Sequence, residues 1–319
     1  MSYEEQNILG ARKRQTDVYS CCRKNPNGNE EYKLMNQASR FLAICTIGAA
    51  FATWSIAWAQ SYTTVDYPGA IYTSLQGGPN PEGVSVGTYI DTSNVQHGFV
   101  LKNGGFTSFD YPGSTGTAAI WISPQGVIVG TYFDSSGGHG FIRDGGQYTT
   151  VDYPGAFDTF LDGFTPSGEI SGQYCMASCS SLHSFVRSKH GVFTSFDPPG
   201  SISSAAENNN PSGAVCGLYT TSDGVTHGYT LSHGTFTTID FPGSSYTAAL
   251  SINPAGDIVG DYVDTKGVDH AFLLSHGAFT SFDFPGQIGT AATGINPGGI
   301  IVGQYIDSAN VTHGFIRTP

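Results

Sequence analysis

The sequence predicts an all-β fold: a six-bladed β-propeller of four-stranded antiparallel blades, closed by an N-terminal strand that completes the last blade. The first observation behind this prediction is composition, because the 319 residues include 43 Gly, 16 Pro, 20 Phe and 17 Tyr. Gly and Pro disfavour helices, whereas aromatic residues favour strands. The second observation is a repeated unit, and the third is a last unit that lacks its final strand.

An Asp-x-Pro-Gly motif recurs six times at intervals of 44, 42, 45, 43 and 43 residues. Its aspartates are Asp66, Asp110, Asp152, Asp197, Asp240 and Asp283. Each unit also contains Pro-x-Gly, then Gly-x-Tyr, then a His followed by a small residue and an aromatic one. These histidines are His97, His139, His183, His227, His270 and His313. A period of this length is typical of propeller blades.

Turn residues divide each unit into four short strands. In the second unit the strands are predicted over residues 117–122, 127–133, 139–143 and 147–152, with Pro and Gly in the intervening turns. Apolar runs such as Val127–Val129 do not alternate with polar residues. This pattern favours sheets that are covered on both faces, as blades are by their neighbours.

The two ends of the repeat region are complementary. The sixth unit stops at Pro319 after its third strand, and residues 61–66 match the missing fourth strand. Pairing these two segments closes a ring of six blades without a free sheet edge. A β-solenoid is the alternative architecture, but it needs capping units that the sequence does not contain.

The segment before the repeats has the features of an export signal. Residues 1–34 have no periodicity and are interpreted as a disordered or untranslated extension. Residues 35–59 are interpreted as a signal peptide that starts at Met35, because Arg40 precedes an apolar run over 41–59 that ends in Ala57-Trp58-Ala59. An uncleaved membrane anchor over 41–59 is the alternative. Residues 60–319 form the predicted propeller.

Export implies an extracellular or periplasmic location and an oxidising compartment. There, Cys175 and Cys179 form either a disulfide or a pair of free thiols. Residues 60–319 contain six Lys or Arg residues against twenty Asp or Glu residues. Because phosphate binding needs a basic surface, this acidity excludes nucleic acid as a partner. We expect a monomer with a protein or glycan ligand, and a membrane partner only if the anchor is retained.

The repeats resemble a known family. The run Thr-Ala-Ala-x-x-Ile-Asn-Pro-x-Gly-x-Ile-Val-Gly-x-Tyr, followed by His-Ala/Gly-Phe at residues 247–272 and 290–315, is similar to the bacterial extracellular HAF repeat. The resemblance covers residues 61–319, although only Ala271 matches the alanine of the name and the Asp-x-Pro-Gly ending differs. It implies a secreted bacterial repeat protein without an established activity, and it assigns no catalytic residue.

Two symmetric sets of polar residues are candidates for a site. The six aspartates and six histidines of the repeated motifs are expected to surround one mouth of the propeller, where identical placement in every blade favours a structural hydrogen bond over chemistry. Four blades also carry an aspartate in the turn after Gly-x-Tyr. These residues, Asp91, Asp134, Asp264 and Asp307, are interpreted as turn caps, with bound calcium as the alternative.

The symmetry breaks on the innermost strand. Asp162 and Glu207 stand where other blades place apolar residues such as Ile120 and Leu250. In-register neighbouring strands would bring these two carboxyl groups together, and such pairs carry out glycoside hydrolysis or simply line a wet channel. Because no catalytic constellation is complete, the sequence favours a non-catalytic binding or interaction module without a cofactor. The alternatives are a carbohydrate-active hydrolase using Asp162 and Glu207, and a structural cell-surface protein.

Overall fold

The computed structural model describes residues 60–176 and 179–319, which belong to one compact unit from Gln60 to Pro319. The predicted extension (1–34) and signal peptide (35–59) lie outside the described residues. The described residues form an all-β fold, as predicted, with strands β1 to β24. Within this part of the chain, no helix has the length and apolar character needed to cross a membrane.

The strands after β1 (Ser61–Val65) fall into consecutive four-stranded units. Unit 1 contains β2 (Tyr72–Leu75), β3 (Ser85–Ile90), β4 (Gln96–Lys102) and β5 (Gly105–Phe109). Unit 2 contains β6 (Gly116–Ile122), β7 (Ile128–Asp134), β8 (Gly137–Asp144) and β9 (Gln147–Val151). Unit 3 contains β10 (Asp158–Phe164), β11 (Ile170–Cys175), β12 (His183–Arg187) and β13 (Phe193–Phe196).

The second half of the described chain repeats this order. Unit 4 contains β14 (Ser201–Asn209), β15 (Val215–Thr221), β16 (Thr226–Ser232) and β17 (Thr235–Ile239). Unit 5 contains β18 (Tyr246–Ile252), β19 (Ile258–Val263), β20 (Asp269–Ser275) and β21 (Ala278–Phe282). Unit 6 contains β22 (Gly289–Ile295), β23 (Ile301–Ile306) and β24 (Thr312–Thr318). Successive strands within each unit pair antiparallel.

Strand β1 completes unit 6, as the sequence predicts. It pairs antiparallel with β24, from Ser61 opposite Thr318 to Val65 opposite Gly314. Unit 6 also contacts unit 1, because Thr293 Oγ1 donates to the Leu75 carbonyl at 2.7 Å and Asn296 Nδ2 donates to the Pro79 carbonyl at 3.2 Å. The first and last parts of the repeat region are therefore neighbours.

The Gly-x-Tyr and His-x-aromatic motifs are explained by packing within a unit. The aromatic ring of the third strand packs against the glycine of the second strand, and it is fully buried in every unit; these residues are Phe99, Phe141, Phe185, Tyr229, Phe272 and Phe315. At Gly130, a Cβ atom would collide with the Ala118 carbonyl and press on the Phe141 ring. Only glycine fits at this position.

The Asp-x-Pro-Gly motif joins neighbouring units. Its aromatic residue stacks on the Gly-x-Tyr tyrosine of the next unit, as for Tyr111 on Tyr132 and Phe241 on Tyr262, with ring centroids 3.7 and 3.6 Å apart. Tyr67 stacks on Tyr89 at 3.6 Å in the same way and so connects the segment after β1 to unit 1. In unit 4 this stack is absent, because Pro198 occupies the aromatic position.

Candidate functional site

The predicted Asp and His residues form a hydrogen-bonded pair in every unit. The Nδ1 atom of each histidine lies 2.8–3.0 Å from a carboxylate oxygen at the end of the fourth strand. The pairs are His97–Asp110, His139–Asp152, His183–Asp197, His227–Asp240, His270–Asp283 and His313–Asp66. We call the surface that carries them the Asp–His face. The predicted hydrogen bond between loops is present in all six units.

The turn aspartates have structural partners as well. In Asp264, Oδ1 accepts hydrogen bonds from the Lys266 and Val268 backbone N–H groups at 2.8 and 2.9 Å, while Oδ2 lies 3.6 Å from His270 Nε2. Asp91 and Asp307 make the same contacts with their own turns. These hydrogen bonds lower the pKa of each carboxyl group, with the backbone N–H groups as the main cause. The capping role accounts for these positions.

Asp134 is the variant of this arrangement. Its carboxylate accepts hydrogen bonds from the hydroxyl and the backbone N–H of Ser136, and the hydroxyl is the main cause of its lowered pKa. His139 Nε2 lies 3.4 Å from the same carboxylate. The described part of the chain thus places all four predicted calcium candidates in turns that they cap themselves.

Asp162 and Glu207, which break the symmetry between units, each lie at a β-bulge. We call β2, β6, β10, β14, β18 and β22 the inner strands. In five of them the pairing register skips a residue at the equivalent position, and these residues are Ile120, Asp162, Glu207, Leu250 and Thr293. Strand β14 has a second register shift at Ile202. A bulge frees one side chain from the alternation of the strand and re-aims it. The predicted carboxyl pair therefore occupies the bulge of two consecutive inner strands.

The structure brings the two strands of this pair into contact. A Cβ atom on Gly163 would lie 2.8 Å from Asn209 Oδ1 and 3.0 Å from the Asn208 Cα atom, so β10 passes directly against β14 beside Asp162 and Glu207. Burial raises the pKa of Asp162 to about 7. Burial also raises the pKa of Glu207 well above its usual value, and the negative charges of Asp162 and Asp261 add to this increase.

Asp261 is a member of this environment that the sequence patterns did not reveal. It lies on β19 with 5% of its surface exposed, and burial raises its pKa well above the usual value. The signal in the sequence was the middle residue of Gly-x-Tyr, which is Asp only in unit 5 and Thr, Gln or Leu elsewhere. Its contribution to the raised pKa of Glu207 depends on the packing of neighbouring units, which the sequence alone does not show.

Several buried polar atoms around the pair lack a hydrogen-bond partner among the described residues. Gln173 Nε2 donates to Asp162 Oδ2 at 3.2 Å, whereas Gln173 Oε1 is unpartnered. Glu207 Oε1, Asp261 Oδ1 and Asn208 Nδ2 are unpartnered too. Three of these four atoms are oxygen acceptors. Because an unpaired buried polar group costs about 1–3 kcal/mol, such a concentration indicates a place for a bound group.

The Asp–His face also exposes large apolar side chains, which the sequence patterns did not identify. Val95, Met176 and Val225 lie in the turns between second and third strands. Four others stand two residues ahead of the Thr or Ser that repeats near the start of each inner strand, and they are Ile71, Phe157, Ile202 and Ile288, with exposed fractions of 38, 47, 56 and 50%. The equivalent residues Thr115 and Ser245 are exposed as well. We call these four side chains the apolar mouth residues.

The loop after β11 contains a disulfide. Cys175 and Cys179 are joined, with their Cα atoms 4.9 Å apart, which is within the range of disulfides. The buried Asp158 carboxylate lies 3.1 Å from Cys179 Sγ. These three side chains could offer ligands to a metal only after reduction of the disulfide. Cys216 is fully buried, as expected from the valines at its position in other units.

Comparison with known proteins defines the fold. No protein-family model matches the chain, and no curated protein matches it. A putative TolB from Agrobacterium tumefaciens is 13% identical with a TM-score of 0.54, covering 77% of this chain and 90% of that one. A mutant of AofleA from Arthrobotrys oligospora is 14% identical with a TM-score of 0.50, covering 81% and 86%.

A fungal lectin from Aleuria aurantia, described as a six-bladed β-propeller, is 15% identical with a TM-score of 0.46 and covers 81% of this chain and 90% of that one. At identities this low, similarity between structures concerns the fold alone. The chain has a β-propeller fold.

Proposed function

We propose that residues 60–319 form a closed six-bladed propeller of HAF-type repeats, exported from a bacterial cell, that acts as a binding module without catalysis. The pairing of β1 with β24 and the contacts between units 6 and 1 support closure. The repeated motifs support the family, and the segment over 35–59 supports export. Determination of the N-terminus of the exported protein tests the last point, with Gln60 as the expected first residue.

The exposed apolar mouth residues carry the proposal of a binding site. Isolated exposed apolar residues are ordinary, but four large ones at equivalent positions on one face are not required by the packing of the units. The polar groups of the same face are engaged in Asp–His pairs and turn caps. The ligand therefore docks over the ends of the inner strands, with apolar contact at the centre and acidic groups around it.

The charge of the domain restricts the ligand. With twenty acidic against six basic side chains, the surface repels nucleic acids and favours neutral glycans or proteins with basic groups. A membrane is a partner only if residues 41–59 remain attached. We propose a monomer, because the closed ring leaves no sheet edge for pairing with another chain.

A glycan array and capture of partners from culture medium, with bound proteins identified by mass spectrometry, test the binding site. The test variant carries Ile71→Ser, Phe157→Ser, Ile202→Ser and Ile288→Ser. The control is Val192→Ser, which removes a more exposed apolar side chain from the hairpin between β12 and β13, at the opposite end of its unit. We expect the fourfold variant to lose binding and the control to keep it. A ligand bound equally by all three proteins would contradict the proposal.

A second candidate function is glycoside hydrolysis by Asp162 and Glu207. The observation that favours it is the contact between β10 and β14, which puts two carboxyl groups with raised pKa values on neighbouring strands. In that case one of the two would hold a proton and act as the acid, and the other would act as the base or nucleophile.

Turnover of a glycan panel by the unaltered protein, Asp162→Asn and Glu207→Gln tests this candidate. A hydrolase would lose activity by about 100-fold or more in each variant. Equal turnover by all three proteins, or none by the unaltered protein, would contradict it.

A further inference from the structure

We propose that Asp162, Gln173 and Glu207 form a binding site for a hard divalent cation between units 3 and 4. The site is distinct from the apolar mouth residues, so it does not depend on the proposed binding function. It also differs from the turn aspartates, because those carboxylates are already engaged by backbone N–H groups.

The amide group of Gln173 is buried beside Asp162. This side chain is 4% exposed, and its Nε2 atom donates to Asp162 Oδ2, so the amide group lies against the carboxylate. Its Oε1 atom has no hydrogen-bond partner among the described residues. The amide of Gln173 therefore uses its N–H donor but not its oxygen acceptor. In a buried amide, this arrangement indicates that an electropositive group binds beside the oxygen atom.

Unpartnered oxygen atoms also lie on neighbouring strands of two units. Gln173 is on β11, next to β10 within unit 3, and Glu207 is at the bulge of β14 in unit 4. Contact between the strands at Gly163 brings the bulges of Asp162 and Glu207 together. Glu207 Oε1 is buried and unpartnered, as is Gln173 Oε1. The unpartnered atoms of Gln173 and Glu207 are therefore both acceptors.

The basic side chains of the described residues all lie elsewhere. The lysines are exposed, and the guanidinium groups of Arg143, Arg187 and Arg317 lie over Phe109, Phe193 and Phe282 on the fourth strands. Six histidines pair with aspartates on the Asp–His face, and the other three, His190, His233 and His276, are exposed in hairpin turns. No basic side chain of residues 60–176 and 179–319 therefore supplies a counter-charge to Asp162 and Glu207, and an external cation would fill this role by replacing the protons that burial otherwise retains there.

The donor set defines the class of cation. Two carboxylates and a carboxamide oxygen are hard ligands of the kind that bind Ca²⁺ and Mg²⁺, whereas soft metals prefer sulfur or imidazole. Three protein oxygens leave room for water in the coordination sphere of either ion. Ca²⁺ accepts carboxamide oxygens and irregular geometry, whereas Mg²⁺ requires a near-ideal octahedron, so we expect Ca²⁺ to bind more tightly.

Equilibrium dialysis of the metal-depleted full chain against CaCl₂ or MgCl₂, with bound metal quantified by mass spectrometry, tests the site. We expect about one equivalent of Ca²⁺ per chain, accompanied by a higher melting temperature. Gln173→Leu and Glu207→Gln should each weaken binding by about tenfold or more. Asp264→Asn and Asp307→Asn are the controls, and they should bind as the unaltered protein does.

Several outcomes would overturn the proposal. The first is that neither Ca²⁺ nor Mg²⁺ binds to the protein. The second is that Gln173→Leu binds Ca²⁺ as tightly as the unaltered protein. The third is that only Asp264→Asn or Asp307→Asn loses the bound Ca²⁺. Circular dichroism shows whether each variant is folded, and Gln173→Leu, which changes no charge, keeps the test valid if Glu207→Gln does not fold. Binding of Mg²⁺ in preference to Ca²⁺ would support the site and correct the choice of ion. A bound cation also conflicts with the hydrolase candidate, because it would remove the acid proton of Glu207.

Discussion

At several repeated positions the packing permits only one type of residue, and these positions account for much of the repeated sequence. The glycine of Gly-x-Tyr is the best example, because the preceding inner strand and the buried aromatic ring of the third strand close on it from both sides. The aromatic residue and the glycine are therefore one packing unit. This explains why the two motifs recur together in a chain whose other residues vary.

Replacing Gly130 by Ala should lower the free energy of unfolding by about 1–3 kcal/mol, because the added methyl group collides with the Ala118 carbonyl and the Phe141 ring. Chemical denaturation measures the change. Gly105→Ala is the control, because a Cβ atom there would meet only the Lys102 carbonyl, at 3.5 Å. Equal effects of the two substitutions would show that packing is not the cause.

The turn aspartates make the free energy of unfolding depend on pH in the acidic range. Their pKa values are lowered in the folded protein, so the folded state releases these protons more readily than the unfolded state. Their contribution is therefore present above the unfolded pKa of about 3.9 and is lost as the pH falls through the folded pKa.

Asp264→Asn tests this dependence. The variant should be less stable than the unaltered protein at about pH 6, and the difference should shrink towards about pH 2, as the pH falls through the folded pKa of the Asp264 carboxyl group. Denaturation midpoints at the two pH values measure it. A difference that stays constant with pH would contradict the assignment of the effect to the charged carboxylate.

Neighbouring units are joined through their strands and turns. Each Pro-x-Gly turn between the first and second strands is held by a side chain at its start. Asn253 Oδ1 accepts hydrogen bonds from the Ala255 and Asp257 backbone N–H groups at 2.9 and 3.0 Å. Asn210 Nδ2 in turn donates to the Asn253 carbonyl at 3.1 Å, so consecutive turns are connected.

Asn253→Ala should destabilise the protein by about 1–3 kcal/mol, because two backbone N–H groups of the turn lose their acceptor. Asn253→Ser is the matched comparison, since Ser123 holds the equivalent turn of unit 2 through its hydroxyl oxygen. We expect Ser to recover most of the loss in melting experiments. If Ala and Ser were equally destabilising, the cap would not be the cause.

Sequence predicted the elements well, because a repeated unit presents the same strand and turn signals six times. The four-stranded units, the role of residues 61–65 and the Asp–His hydrogen bonds all follow from that repetition. The bulge at Asp162 and Glu207 could not be predicted, since register depends on pairing between strands. Gln173 was missed because its contact with Asp162 depends on the pairing of β10 with β11, and Asp261 was missed because its effect on Glu207 crosses the boundary between units 4 and 5. The apolar mouth residues were missed because an exposed isoleucine in a sequence looks like a buried one.

On the scale of the whole molecule, the contacts between units recur around the chain. Turn contacts and inner-strand contacts join neighbouring units, and aromatic stacks add to them except where Pro198 interrupts the pattern. The same kinds of contact connect unit 6 to unit 1. In the closed ring that we propose, stability depends on the two ends of the domain meeting, and the asymmetric residues of units 3 to 5 lie within that ring.

Closure is tested most directly by a disulfide between the two ends. Ser61 and Thr318 are opposite each other in the register of β1 and β24, and their hydroxyl groups are 2.6 Å apart. Under oxidation, Ser61→Cys with Thr318→Cys should form an intramolecular disulfide, detected as a linked peptide by mass spectrometry. The control pair, Ser61→Cys with Thr235→Cys on β17 of unit 4, should form none. If the first pair formed no more linked peptide than the control, the ring would not be closed by β1, and the account would be wrong.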